Sequence, residues 1–225
     1  MTTVTTITAP EQHREQAEFS PNWDRPLQVA GKRVLDILIS ALSLVLLLPL
    51  FVAFSVLVKL TSPGPVFYRW KVVGKNGSPF TGYKFRSMVM NADELKSKLK
   101  DQNEMAGPVF KITNDPRITP VGAWMRRYSL DELPQLYSVL RGDMSLVGPR
   151  PPLVTEYHQF TEYQKQKLAV KPGITCLWQV SGRNDINDFD QWVRLDLEYI
   201  RNWSLGHDLQ ILLRTVGAVF SGSGK

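Results

Sequence analysis

The stretch Tyr128–Pro152, YSLDELPQLYSVLRGDMSLVGPRPP, carries an adjacent carboxylate pair, a short helical pattern and a proline-flanked arginine within twenty-five residues. Pro134 lacks an amide hydrogen and is comfortable in a first helical turn, where that hydrogen has no partner anyway. This predicts a helix capped by Asp131, with Glu132 at its first position. Leu133, Leu136, Val139 and Leu140 form its apolar face, and Gly142 closes it. Taken alone, the two carboxylates are compatible with simple capping, worth about 0.3–1 kcal/mol each. Their neighbours argue for more. Arg126 and Arg127 precede the pair, and Pro149-Arg150-Pro151-Pro152 follows the helix. A proline on each side holds Arg150 nearly extended, so its guanidinium has little freedom left to lose. Helix start, carboxylates and arginines together describe a phosphate site. The amides and arginines would hold phosphate oxygens, and the carboxylates would bind a hard cation such as Mg²⁺ or attack phosphorus.

The chain of 225 residues is 43% hydrophobic, enough for one good core and short of room for two catalytic domains. One cysteine rules out an intramolecular disulfide framework and suits a reducing compartment. The first thirty residues hold two basic and four acidic side chains against +6 for the whole chain, so the rest carries +8. A basic body predicts anionic partners. No arginine-rich recognition helix, zinc-finger spacing or RNA-binding aromatic motif is present, which ranks nucleic acid low. Residues 1–30 read as a polar, flexible tail without the pattern of a signal peptide.

Ile37–Val58, ILISALSLVLLLPLFVAFSVLV, is the most apolar segment, about 33 Å long as a straight helix. Pro49 interrupts it and frees the Val45 carbonyl, for which Ser40 and Ser43 are candidate partners. Basic residues flank both ends, which favours both ends on the cytoplasmic side. A single-pass anchor with a tolerated proline and a re-entrant helix-break-helix both remain open on these grounds. Asp36 is expensive at membrane depth, so it is expected at the interface, paired with Lys32, Arg33 or a neighbour near the break.

Beyond the breakers Ser62-Pro63-Gly64-Pro65, Val66–Val73 and Phe80–Phe85 predict two strands around the Gly74–Gly77 turn. Asn91–Gln102 and Val121–Arg127 predict amphipathic helices, and Arg117 suits either a phosphate or a turn salt bridge. Thr155–Leu168 is expected as one helix and Ile174–Val180 as a buried strand leading to Ser181-Gly182-Arg183-Asn184. There a glycine lets backbone and guanidinium approach a diphosphate or uracil edge closely. Two closing helices follow at Asp188–Ser204 and His207–Phe220. Trp192, Tyr199 and Trp203 suit a core or a lipid headgroup layer, and Cys176 reads as a packed thiol.

The blocks SLDELPQL, RGDMSLVGPRP, KPGITCLWQVSGR and GYKFRSM resemble the signatures of the bacterial sugar transferases, the monotopic phosphoglycosyl transferases, from about Lys32 to the C-terminus. The resemblance implies an α+β, mainly helical fold: a polar tail (1–30), a re-entrant membrane helix (31–60), a small cytosolic catalytic domain with short strands (61–220) and a tail (221–225). It implies transfer of a sugar-1-phosphate, glucose or galactose before an N-acetylated sugar, from a UDP-sugar to undecaprenyl phosphate. UMP is released, and the product starts exopolysaccharide, capsule or lipopolysaccharide synthesis at the cytoplasmic face of the inner membrane. Asp131 would be the nucleophile, with Glu132 beside it and Mg²⁺ held by both. Lys84, Arg86, Arg150, Arg183 and Asn184 would bind substrate. Phospholipid would be a partner, nucleic acid would not, and a homodimer is compatible with the pattern. The chain departs from the family at Trp70 and Val72, where Gln and Arg are common, at Leu48 before the break proline, and at Cys176, where Gly is usual. A membrane-anchored scaffold that holds anions without turnover, or a basic nucleic-acid binder with an apolar anchor, are the readings of another class.

Overall fold

The computed structural model describes residues 23, 25–182 and 186–222, a mainly helical α+β fold. Its first two helices, α1 (Pro26–Leu46) and α2 (Leu48–Thr61), meet at Leu47 with a 61° bend. Pro49 lies in the first turn of α2, where its missing amide hydrogen stops α1 from continuing. Among the described residues no single helix is long and apolar enough to cross a membrane; the bent pair together is.

The pair is two-faced. Val34, Leu38, Leu42, Val45, Val52 and Val56 are exposed, whereas Lys32, Asp36 and Ser40 are buried against the body. Lys32 Nζ donates to Asp208 Oδ2 at 2.6 Å and to the Val147 carbonyl at 3.0 Å. Arg33 caps the C-terminal end of a later helix by donating to the Val139 and Leu140 carbonyls. Asp36 accepts from the Leu146 amide and the Ser145 hydroxyl. It is therefore buried by protein, and not paired with Lys32 or Arg33 as expected from membrane cost alone. Ser40 does not cover the Val45 carbonyl either: its buried hydroxyl has no partner among the described residues.

Strands β1 (Phe67–Val73) and β2 (Pro79–Phe85) form an antiparallel hairpin in which Trp70 faces Gly82 and Tyr68 faces Lys84. Helices α3 (Ala92–Lys98) and α4 (Pro120–Arg127) follow, the latter capped by the Thr119 hydroxyl. The predicted helix start shifts here. Ser129 adopts a left-handed conformation (φ 54°), Leu130–Glu132 form a 3₁₀ turn, and α5 (Gln135–Arg141) begins only after Pro134. Asp131 is thus not the cap; the proline cannot supply the amide that would join turn and helix into one element. Gly142 does close α5, at φ 95°.

A second sheet pairs β3 (Ser145–Val147) in parallel with β4 (Gly173–Thr175). The expected helix over 155–168 is broken into α6 (Val154–Tyr157), α7 (Glu162–Lys165) and a 3₁₀ turn over Gln166–Ala169. Thr161 and Gln164 form a reciprocal capping box that starts α7 afresh, and Phe160 just before it is buried against Phe189. The expected strand over 174–180 ends at Thr175, because Leu177–Val180 turn into the short helix α8. Its Trp178 stacks at 4.1 Å on Trp192 of α9 (Phe189–Arg201). Helix α10 (Leu205–Ser221) closes the fold. Trp192, Tyr199 and Trp203 are core residues, and Cys176 is a packed thiol that burial pushes well above its ordinary value.

Losing one member of a buried ion pair strands the other charge. Lys32→Met is expected to lower unfolding stability by about 3–5 kcal/mol in detergent-solubilised protein. Adding Asp208→Asn should recover part of that loss, since the neutral amide still accepts from Tyr199. A double variant no more stable than the single one would show that the pair is not the tie between α1 and α10.

Candidate active site

Asp131, Glu132, Lys84 and Arg150 line one cavity of about 840 Å³, together with Arg126 and Gln135. Each is placed by a different element. Asp131 sits in the 3₁₀ turn and is buried, with its chain direction set by left-handed Ser129 at a cost of about 1–2 kcal/mol. Glu132, next in the turn, receives Lys84 Nζ at 2.6 Å, and both side chains are less than one-fifth exposed. Lys84 reaches this point because strand residues alternate: Phe85 enters an apolar cluster with Phe54, Val58 and Met125, so Lys84 emerges on the opposite face.

Arg150 is held by its segment. The Pro149 carbonyl accepts from Gly173 N at 3.0 Å and the Pro152 carbonyl from Val73 N at 3.0 Å, which ties the PRPP stretch to β4 at one end and β1 at the other. Its guanidinium lies 5.7 Å from the Trp192 ring. Arg126 donates to the Ser87 hydroxyl at 2.9 Å, while Arg127 stacks on Tyr128 away from this cavity.

The cavity lining carries more Lys and Arg than Asp and Glu, and enclosure decides how Lys84 titrates. Desolvation pushes the Lys84 ammonium below its ordinary value; Glu132 and Asp131 act against that fall and Arg150 adds to it. Two carboxylate oxygen donors side by side suit Mg²⁺, which commonly takes one or two carboxylates and completes its shell from phosphates and water. Among the described residues no group of three or more His, Cys, Asp or Glu side chains gathers for a metal.

Of the residues expected from sequence, Arg86 also lines this cavity, but its guanidinium is already engaged. It is buried, donates to the Ser62 carbonyl at 2.6 Å and meets Met90 Sδ at 3.2 Å, so it closes the end of α2. Arg117 takes the salt-bridge role: it grips Asp115 through two nitrogens and donates to the Ala92 carbonyl. Arg183 and Asn184 lie outside the described residues. Sequence reasoning missed Gln135, buried in the cavity wall, and the Trp178–Trp192 stack, which also lines it. The register of the β1–β2 hairpin was a signal for a further one, Trp70 beside Lys84.

The description "Bacterial sugar transferase" matches residues 27–222. The chain belongs to that family. It is 52% identical over 161 residues to "Galactosyl transferase CpsE" of Streptococcus agalactiae serotype III (strain NEM316), covering 72% of this chain and 36% of that protein. It is 45% identical to "Undecaprenyl-phosphate galactose phosphotransferase" of Salmonella typhimurium, covering 86% and 41%. With "Exopolysaccharide production protein ExoY" of Rhizobium meliloti (strain 1021) the identity is 41%, covering 89% and 90%. The chain thus spans well under half the length of the first two relatives and nearly all of the third.

A carboxylate stabilises a neighbouring ammonium. Glu132→Gln should therefore lower the pH at which the Lys84 amine becomes reactive, read by acylation at a series of pH values and mass spectrometry of the Lys84 peptide. An unchanged titration would show that the 2.6 Å pair does not govern the lysine.

Proposed function

We propose that the chain transfers a sugar-1-phosphate from a UDP-sugar to undecaprenyl phosphate at the cytoplasmic face of a bacterial inner membrane. The observation that carries this reading is the meeting of Asp131, Glu132, Lys84 and Arg150 in one cavity, on a body docked to a bent apolar helix pair. The names of the relatives support it: one is a galactose phosphotransferase to undecaprenyl phosphate, another an exopolysaccharide production protein. Two of the three name galactose, which favours a hexose donor, galactose before glucose.

In the first half-reaction an Asp131 carboxylate oxygen attacks the sugar-side phosphorus. The bond from that phosphorus to the bridging oxygen breaks, and UMP leaves with the electron pair. The resulting sugar-phosphoryl aspartate is then attacked by a phosphate oxygen of undecaprenyl phosphate, Asp131 departs, and undecaprenyl diphosphate sugar forms. Splitting the exchange lets a soluble donor and a lipid acceptor use one site in turn. Lys84 and Arg150 oppose the negative charge on the transferring group in both halves. Mg²⁺, when bound by Asp131 and Glu132 with the diphosphate, supplies charge neutralisation.

Incubation with UDP-galactose and no lipid acceptor should leave one hexose phosphate covalently on the Asp131 peptide, with one UMP released. Asp131→Asn should lose the adduct and at least about a thousandfold in turnover. An Asn variant with full turnover would place the nucleophile elsewhere, and a donor panel in which only an N-acetylated sugar reacts would overturn the hexose assignment.

The bent pair is proposed to dip into the inner leaflet and return, so that residues 1–30 and the catalytic body share the cytoplasmic side. Single cysteines at positions 20 and 75, in a Cys176→Ser background, should both be protected from a periplasmic thiol reagent. Labelling of position 20 alone from outside would establish a single-pass anchor.

A further inference from the structure

Trp70 has no part in the steps above, yet its surroundings single it out. It lies on β1 directly opposite Gly82, and Lys84, two residues along β2, shares that face of the hairpin. A Cβ on Gly82 would come 1.6 Å from Trp70 Nε1 and 2.4 and 2.7 Å from its ring carbons, so the indole lies across the strand only because residue 82 has no side chain. Lying there, it sets its ring face against Lys84, whose Nζ is 3.9 Å from the ring centroid. A cation–π contact operates within about 6 Å. The same ammonium also meets Glu132 Oε1 at 2.6 Å. The indole N–H is buried and has no partner among the described residues, so its own hydrogen bond does not seat the ring.

Lysine is a point charge on a flexible four-carbon stem, and a carboxylate on one side alone leaves it free to swing. We infer that Trp70 is a positioning residue for Lys84: the indole face, seated in the space left by Gly82, clamps the ammonium against Glu132 at the wall of the cavity. The inference rests on the proposed reaction for the use made of that lysine. Asp131 and Glu132 from the 3₁₀ turn and Arg150 from the PRPP segment are the other charged groups that act on it. Without the clamp the ammonium would spend less time facing the transferring phosphoryl group, which lowers kcat more than it raises KM.

Trp70→Phe and Trp70→Leu isolate the ring face, since both keep apolar bulk and only one keeps a π system. Trp70→Leu is expected to lose about tenfold in kcat for UMP release with KM changed less than about threefold, and Trp70→Phe to return to within about threefold of the parent. Gly82→Ala, which leaves Trp70 in the chain but denies it the seat, should match Trp70→Leu in kcat. Equal kcat in the Phe and Leu variants, or a fully active Gly82→Ala, would overturn the inference. Lys84→Ala separates the two readings. If it released UMP at the parent rate, the lysine would have no role to be positioned for, even with the Phe and Leu variants apart in kcat, and the inference would fall with its use in the proposed reaction.

Discussion

Three adjacent charges on the inner face of α1 hold the molecule together. Lys32, Arg33 and Asp36 would be costly on an apolar helix facing lipid, and each is satisfied by a different part of the body. Lys32 reaches Asp208 on α10, Arg33 the last carbonyls of α5, and Asp36 the first residues of β3. The last two ties matter for chemistry. Helix α5 follows the Asp131–Glu132 turn directly, and β3 leads through Gly148 into Pro149 and Arg150. Both flanks of the site's main stretch are therefore fastened to the same helix, and the outward apolar residues of α1 are left for another medium.

The second helix is coupled to the site by alternation along one strand. Phe85 packs with Phe54 and Val58 of α2 and with Met125 of α4, while Lys84 turns into the cavity and Arg86 binds the carbonyl of Ser62 at the end of α2. Phe85 and Arg86 hold β2 against α2 while Lys84 meets Glu132. The sequence pattern Tyr-Lys-Phe-Arg thus joins two jobs, cavity and anchor: Lys84 and Arg86 both line the cavity, and only the three-dimensional arrangement shows that Arg86 is also the anchor to the end of α2.

What the sequence showed plainly was local. The Gly74–Gly77 turn fixed the hairpin because its residues tolerate the required backbone, and Asn76 and Gly77 do adopt positive φ. The cavity residues Asp131, Glu132, Lys84 and Arg150 were each named by residue type and neighbourhood. Boundaries failed where a short-range device overrode periodicity: Pro134 separated the carboxylate turn from α5, the Thr161–Gln164 box divided the helical pattern of 155–168, and the buried Leu177–Trp178 pair bent an apolar run into a helix. The partners of Asp36 were missed for a different reason. They lie 109 and 110 residues away, and no spacing rule reports a contact of that range.

In the proposed reaction the Asp131 carboxylate must approach a phosphoryl group that is itself anionic. Two unit charges about 4 Å apart repel by about 4 kcal/mol at an effective dielectric near 20, enough to slow attack by about a thousandfold. The site answers by mounting cations on separate rigid supports. Lys84 comes from β2, Arg150 from a segment hydrogen-bonded at both ends, and Arg126 from α4. A lysine of depressed proton affinity is then least secure when no phosphate is present, since enclosure disfavours its charge and only the neighbouring carboxylates and the Trp70 ring face oppose that. In the proposed reaction, arrival of an anionic group would add a further partner and favour the ammonium, so the cation that the attack needs would be reinforced by the substrate.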